Sequence, residues 1–231
     1  MVSTAWYFAL ELPADISLPT DPVSVETGNS LAGVEDVLDF WFADAADGPD
    51  ALARRNRVWF RGGEAFDRQC AEGFAKTLEA AARGELNHWK TTPRGRLVLI
   101  ILLDQLSRNV YRGSAAAFSQ DDRALALCRE GLEMGEDRQL APCERTFFYM
   151  PLEHAEDRDV QRLSVHLFER LAEEAPEEWR EQLLANAGYA REHRVIVEKF
   201  GRFPHRNGIL GRASTPAEEA HLAGDAPRFG Q

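Results

Sequence analysis

Residues 93–113, PRGRLVLIILLDQLSRNVYRG, constrain the fold of this chain more than any other stretch. Leu97, Val98, Leu99, Ile100, Ile101, Leu102 and Leu103 form its most apolar run. An element that is apolar on every side has to be buried on every side. Asp104, Gln105, Arg108, Asn109, Tyr111 and Arg112 follow at once. So close to a buried run these groups cannot all reach water, and each must find a partner or a ligand. This junction is where function is to be sought.

Seven apolar residues in a row suit a buried strand as well as a helix. The surrounding chain decides for helix. Thr92-Pro93 reads as an N-cap with proline at the first helical position, and Gly113 as the stop. Upstream, Val34, Val37, Leu38 and Trp41 fall at i, i+3, i+4 and i+7. A loop rich in Asp, Gly and Pro at 44–50 separates them from helices expected over 51–60 and 64–83. The second carries Phe66, Cys70, Phe74 and Leu78 on one face and stops at Gly84. Downstream, Ser119-Gln120-Asp121-Asp122 reads as a capping signal for a helix through Met134. Pro142 opens a helix that Pro151 must bend or end. The stripe Val160, Leu163, Leu167 and Leu171 marks the next, and Pro176 starts a long one reaching Phe200 and Gly201. Thr215-Pro216-Ala217-Glu218 is a capping box for a short last helix. The expected fold is all-α, with antiparallel helix hairpins stacked as a single domain over 34–231. Residues 1–33, punctuated by Pro13, Pro19, Pro22, Gly28 and Gly33, read as an irregular extension that Trp6, Tyr7 and Phe8 could anchor.

Several classes of function are disfavoured. A formal net charge of −11 argues against general affinity for nucleic acid or an anionic membrane surface. The apolar run at 97–103 is far too short to span a bilayer, and the first residues lack the basic start of a secretory leader. Cys70, Cys128 and Cys143 are odd in number and form no CxxC pair, which suits free thiols in a reducing compartment. A cytoplasmic protein is expected. No phosphate loop, dinucleotide fingerprint, nucleophile elbow or zinc pattern is present, so no cofactor or metal is expected.

Three polar clusters remain. Asp104 and Arg108, Gln105 and Asn109, and Arg108 and Arg112 stand four apart, as an intrahelical ladder or as an arginine pair presented to an anion. Glu153-His154 follows Pro151, where the helical hydrogen-bond ladder is broken. The pair could move a proton, although neighbours on a helix diverge and no second histidine stands at ligand spacing. Residues 191–212 hold six Arg or Lys against two Glu in an otherwise acidic chain. Glycines and a proline there surround Arg202, His205 and Arg206. That loop could capture an anion, or be a solvated face with Glu153 or Asp157 as its internal partner.

These clusters have a family resemblance. VLDFWF at 37–42, ELNHW at 85–89, LLDQLSRNVYRG at 102–113, AAAFSQD at 115–121, YMPLEHAED at 149–157 and HRVIVEKFGRFPHRNGILGR at 193–212 resemble the bacterial family called domain of unknown function 924. The likeness runs from about Val34 to the end, with Leu106-Ser107 departing from the family's more usual Phe followed by Pro or Ser. It implies a tetratricopeptide-like α-α superhelix and no activity. The motif positions here are Asp104, Gln105, Arg108, Asn109, Arg112, Glu153, His154, Glu156, Asp157, His193, Arg202, Pro204, His205, Arg206 and Asn207. Stacked hairpins suggest a module that binds a protein or peptide in a groove. The alternative is an enzyme or sensor for a phosphate- or carboxylate-bearing small molecule, using Asp104, Arg108, Arg112, Glu153, His154, Arg202, His205 and Arg206. A third reading makes the cluster a buried ion network that only fixes helix packing.

Overall fold

The computed structural model describes residues 31–224, so the aromatic anchor expected at Trp6, Tyr7 and Phe8 lies outside the described residues. The described residues are all-α and include no strand. The α-helices are α1 (Val34–Phe42), α2 (Pro49–Arg61), α3 (Gly63–Arg83), α4 (Pro93–Ile100), α5 (Ser107–Val110), α6 (Asp121–Glu133), α7 (Pro142–Glu153), α8 (Arg158–Glu174), α9 (Glu177–Phe200) and α10 (Pro216–Leu222).

The apolar run resolves as helix. Thr92 caps it as expected, its hydroxyl accepting from the Gly95 amide at 3.1 Å, with Pro93 in the first turn. Between α4 and α5 the chain widens into a π-helical segment, Ile101–Leu106, that periodicity did not foretell. The composite helix is enclosed by α1, α3, α6 and α7, and all seven residues of the run are buried. Each such side chain contributes roughly 1.5–3 kcal/mol, which explains why the run tolerates no polar face.

An aromatic cluster joins α1, α2 and α7. Trp41 meets Phe147 edge-on at 5.4 Å, and Trp59 meets the same ring at 4.5 Å. The Trp59 indole donates to the Trp41 carbonyl at 2.8 Å, fixing α2 against α1. The Asp157 side chain caps α8 by accepting from the amides of Asp159 and Val160. Helices α8 and α9 are joined by a two-residue turn at Ala175-Pro176 and pack along their length, which makes them antiparallel. Gly201 ends α9 with φ +73°, a conformation glycine adopts without steric cost.

One expected cap is not made. Ser119 does not cap α6; its hydroxyl donates to the Ala116 carbonyl at 2.8 Å, and Gln120 occupies the N-cap with no side-chain bond. Residues 115–118 form a 3₁₀ turn instead, and that turn claims the serine.

Candidate functional site

The polar half of the central helix, the end of α7 and the C-terminal loop converge. Asp104 in the π segment has no solvent exposure. Its carboxylate meets His154 Nδ1 at 2.8 and 2.9 Å through its two oxygens, Gln105 Nε2 at 2.5 Å and the Arg108 guanidinium at 3.2 Å. Arg108 also bonds the Asp104 carbonyl and reaches both Asp121 oxygens at 3.0 Å. Asp121 in turn receives Arg206 Nη1 at 3.3 Å, and Arg206 donates to the His154 carbonyl at 3.1 Å. The Arg206 guanidinium lies between two rings, 4.8 Å from Phe118 and 4.5 Å from Phe203. Cation–π contact supplements its ion pair there.

Glu153 and His154 do not diverge. His154 is the C-cap of α7, where the helix ends two residues beyond Pro151, and both side chains border one cleft. The cleft has a volume of about 270 Å³. Trp59, Phe60, Met150 and Phe168 supply apolar walls, while Asn56, Gln105, Asn109, Asn186 and Tyr189 supply polar groups beside Arg108, Arg112 and His193. A second hollow of about 350 Å³ lies beyond the network, bordered by Phe118, Asp121, Pro151, Glu156 and Arg206. His154 borders both.

The electrostatics divide this cluster in two. Burial alone would raise the pKa of Asp104, but Arg108 and His154 outweigh it and hold the carboxyl below the usual range. Since an ionised carboxylate only accepts, His154 Nδ1 carries the proton and Nε2 keeps its lone pair. Burial and Arg108 lower the pKa of His154 against the pull of Asp104, which favours the neutral ring. Glu153 behaves oppositely. Burial, with Asp104 and Glu192 adding to it, pushes its carboxyl up to about 8. Its neighbour His193 is held well below the usual imidazole range by burial. His193 Nδ1 carries a proton that it donates to the Tyr189 carbonyl at 2.9 Å, and it also stands 3.0 Å from Glu153 Oε1. With the carboxyl raised and the imidazole lowered, this close contact joins uncharged groups at neutral pH and is not a salt bridge.

The sequence-derived candidates therefore separate. Asp104, Arg108, Glu153, His154 and Arg206 come together. Arg112 borders the cleft but forks onto Asp67 at 2.6 and 2.9 Å, and Asn109 donates to the same carboxylate at 2.8 Å. Arg202 lies apart, bound to Glu218 at 2.6 and 2.8 Å. His205 packs 5.6 Å from the Phe203 ring outside the cleft lining, and burial with Arg206 pushes its pKa down to about 4. Within the basic stretch Arg202, Arg206 and Arg212 pair with Glu218, Asp121 and Glu156, Glu153 meets only His193, and Asp157 caps α8 instead. Glu156 accepts from Arg212 at 2.6 and 2.9 Å and from the Phe203 amide at 2.7 Å. Asp67, Asp121 and Trp59 were not foreseen as site residues. Asp121 closes the AAAFSQD motif, which was the available signal, whereas Asp67 sits in an unremarkable helical surface pattern. Among the described residues no group of three or more His, Cys, Asp or Glu could hold a metal ion. No helix among them is long and apolar enough to cross a membrane.

A family model described as "Bacterial protein of unknown function (DUF924)" matches residues 37–225. The chain is also similar to a solved structure, a protein of unknown function, ATU0120, from Agrobacterium tumefaciens. The two are 38% identical with a TM-score of 0.69, over 82% of this chain and 96% of the other. Nothing among the curated proteins matches the chain.

Proposed function

The chain belongs to the DUF924 family, and since that description carries no activity, we propose a function from the cleft itself. The protein binds a small molecule there and removes a proton from it, with His154 as the base. The observation that carries this reading is the Asp104–His154 pair at the cleft wall. A fully buried carboxylate fixes the Nδ1 proton at 2.8 Å and leaves Nε2, which takes no hydrogen bond from the described residues. An imidazole oriented by a carboxylate is the arrangement general-base chemistry uses. Beside it stands Glu153, whose carboxyl burial pushes up to about 8, so two titratable groups bordering the cleft are displaced in opposite directions.

The remaining ions support the plainer reading for themselves. Arg108 and Arg206 both pair with Asp121 as a packing network, and Arg202 fastens α10. No feature of the described residues favours a peptide groove over the half-enclosed cleft. Incubation of the purified protein with a metabolite extract, followed by mass spectrometry, tests the proposal. A compound consumed by wild type should be consumed roughly 10²–10⁴-fold more slowly by His154→Gln. Equal consumption by a folded His154→Gln removes the base assignment. No consumption and no thermal shift with any component removes the small-molecule reading.

A further inference from the structure

The hydrogen-bonding character of the cleft wall restricts what can bind, provided the cleft is a small-molecule site as read above. Gln105 donates its amide nitrogen to Asp104, and Asn109 donates its own to Asp67. Both partners are carboxylates, so neither amide can be turned the other way round. Each side chain is therefore left with a carbonyl oxygen, and among the described residues neither oxygen accepts a hydrogen bond. Both residues are more than nine-tenths buried, as is Glu153, whose Oε2 likewise has no partner among the described residues.

The positive groups at the same wall are already matched. Arg112 presents Nε and Nη2 to Asp67, and Arg108 presents both terminal nitrogens to Asp121. An incoming carboxylate or phosphate would have to displace a protein carboxylate from a guanidinium fork. The wall thus offers acceptors where donors would be needed for an anion. Trp59 and Phe168 line the same cleft, and aromatic rings of this kind attract cations.

We propose that the cleft takes a small organic nitrogen cation, an amidinium, guanidinium or ammonium on a compact apolar body, with its N–H groups on Glu153, Gln105 and Asn109. Glu153 supplies the charge that the paired arginines and aspartates leave unbalanced, and the two amide oxygens supply direction. The apolar body lies against Trp59 and Phe168. An uncharged ligand would leave no group to meet Glu153 once that carboxyl ionises, so affinity concentrates in the cationic end.

Benzamidine and benzoate share a shape and differ in the sign of charge and in offering donors or acceptors. Titrating each into the full-length protein at constant ionic strength, with thermal unfolding and calorimetry as readouts, separates the possibilities. Benzamidine should raise the unfolding temperature in a saturable way, benzoate should not, and Glu153→Gln should weaken benzamidine at least tenfold. Glu153→Gln removes no packing, so a folded variant is expected. Benzamidine binding that survives in Glu153→Gln overturns the proposal by placing the cation elsewhere on this acidic protein. Benzoate or phenyl phosphate binding in place of benzamidine overturns it while leaving the small-molecule reading intact. If none of the three binds at millimolar concentration, this inference falls. The wider reading falls with it only if the metabolite extract also gives no consumption and no thermal shift.

Discussion

Replacing Glu153 by glutamine should stabilise the protein, and increasingly so as the pH rises. The glutamate is 6% exposed, and its surroundings are His193 at 3.0 Å, His154 on the same wall, and the carboxylates of Asp104 and Glu192, which add to the effect of burial. In the unfolded chain its carboxyl ionises at about 4.5, in the folded protein at about 8. Between those values the folded state holds a proton that the unfolded state has lost. Stability therefore falls as pH rises through that window, by up to ~1.4 kcal/mol per pH unit, and levels off above the folded value. His154 and His193 act in the other direction. Their lowered values favour the neutral ring in the folded protein, so they cost stability only as pH falls below the usual imidazole range. Both histidines are present in wild type and variant, and their contribution cancels in the difference. From pH 5 to pH 8 the advantage of Glu153→Gln should grow by up to ~4 kcal/mol, or roughly 10 °C in Tm for a chain of this size. Thermal unfolding followed by far-ultraviolet circular dichroism at several pH values measures it. Parallel curves for the two proteins would refute the argument, since they would mean the carboxyl is solvated or already paired with a cation.

Two further substitutions probe the packing around the site. Arg206→Ala should cost about 2–4 kcal/mol in urea unfolding, because it empties the space between Phe118 and Phe203 and leaves the half-buried Asp121 to Arg108 alone; a loss below ~1 kcal/mol would return Arg206 to ligand duty. Gly131→Ala should cost about 1–3 kcal/mol, since a Cβ there would lie 2.6 Å from both Phe148 Cζ and Arg96 Cδ, and the unfolding midpoint should move without a change of slope.

The helices were legible because their determinants are local. Thr92-Pro93, Pro142, Pro176, Gly201 and the Thr215–Glu218 box act through neighbours three or four residues away, and each operates as the sequence predicts. The partners of the polar clusters were not legible, because helix packing chooses them. Asn109 and Arg112 looked like rungs of a ladder on their own helix, yet both bind Asp67, more than forty positions earlier on α3. The basic loop looked like an anion trap for the same reason: Glu156 and Glu218 are invisible as its partners until the chain folds back. Divergence of neighbouring side chains holds for a continuous helix and fails for Glu153 and His154, because His154 is a C-cap.

The π segment is the physical link between the apolar half of the central helix and its polar half. A wider turn alters the rotation of every side chain beyond it, so Asp104 and Gln105 do not fall where an α-helix would put them. A π turn also loosens the carbonyls of the ladder, and here side chains compensate: the Ser107 hydroxyl donates to the Leu103 carbonyl at 2.6 Å and Arg108 to that of Asp104. Apolar packing does not mark the irregularity, since Leu97, Val98, Leu99 and Ile100 before it and Ile101, Leu102 and Leu103 within it are all buried alike. What it accompanies is the placement of Asp104 against His154 on one side and of Gln105 and Asn109 against the cleft on the other. Irregular helix at a buried polar cluster is where folds carry strain for the sake of a site. On that argument the oriented imidazole and the acceptor-lined wall are two products of one local distortion in the central helix.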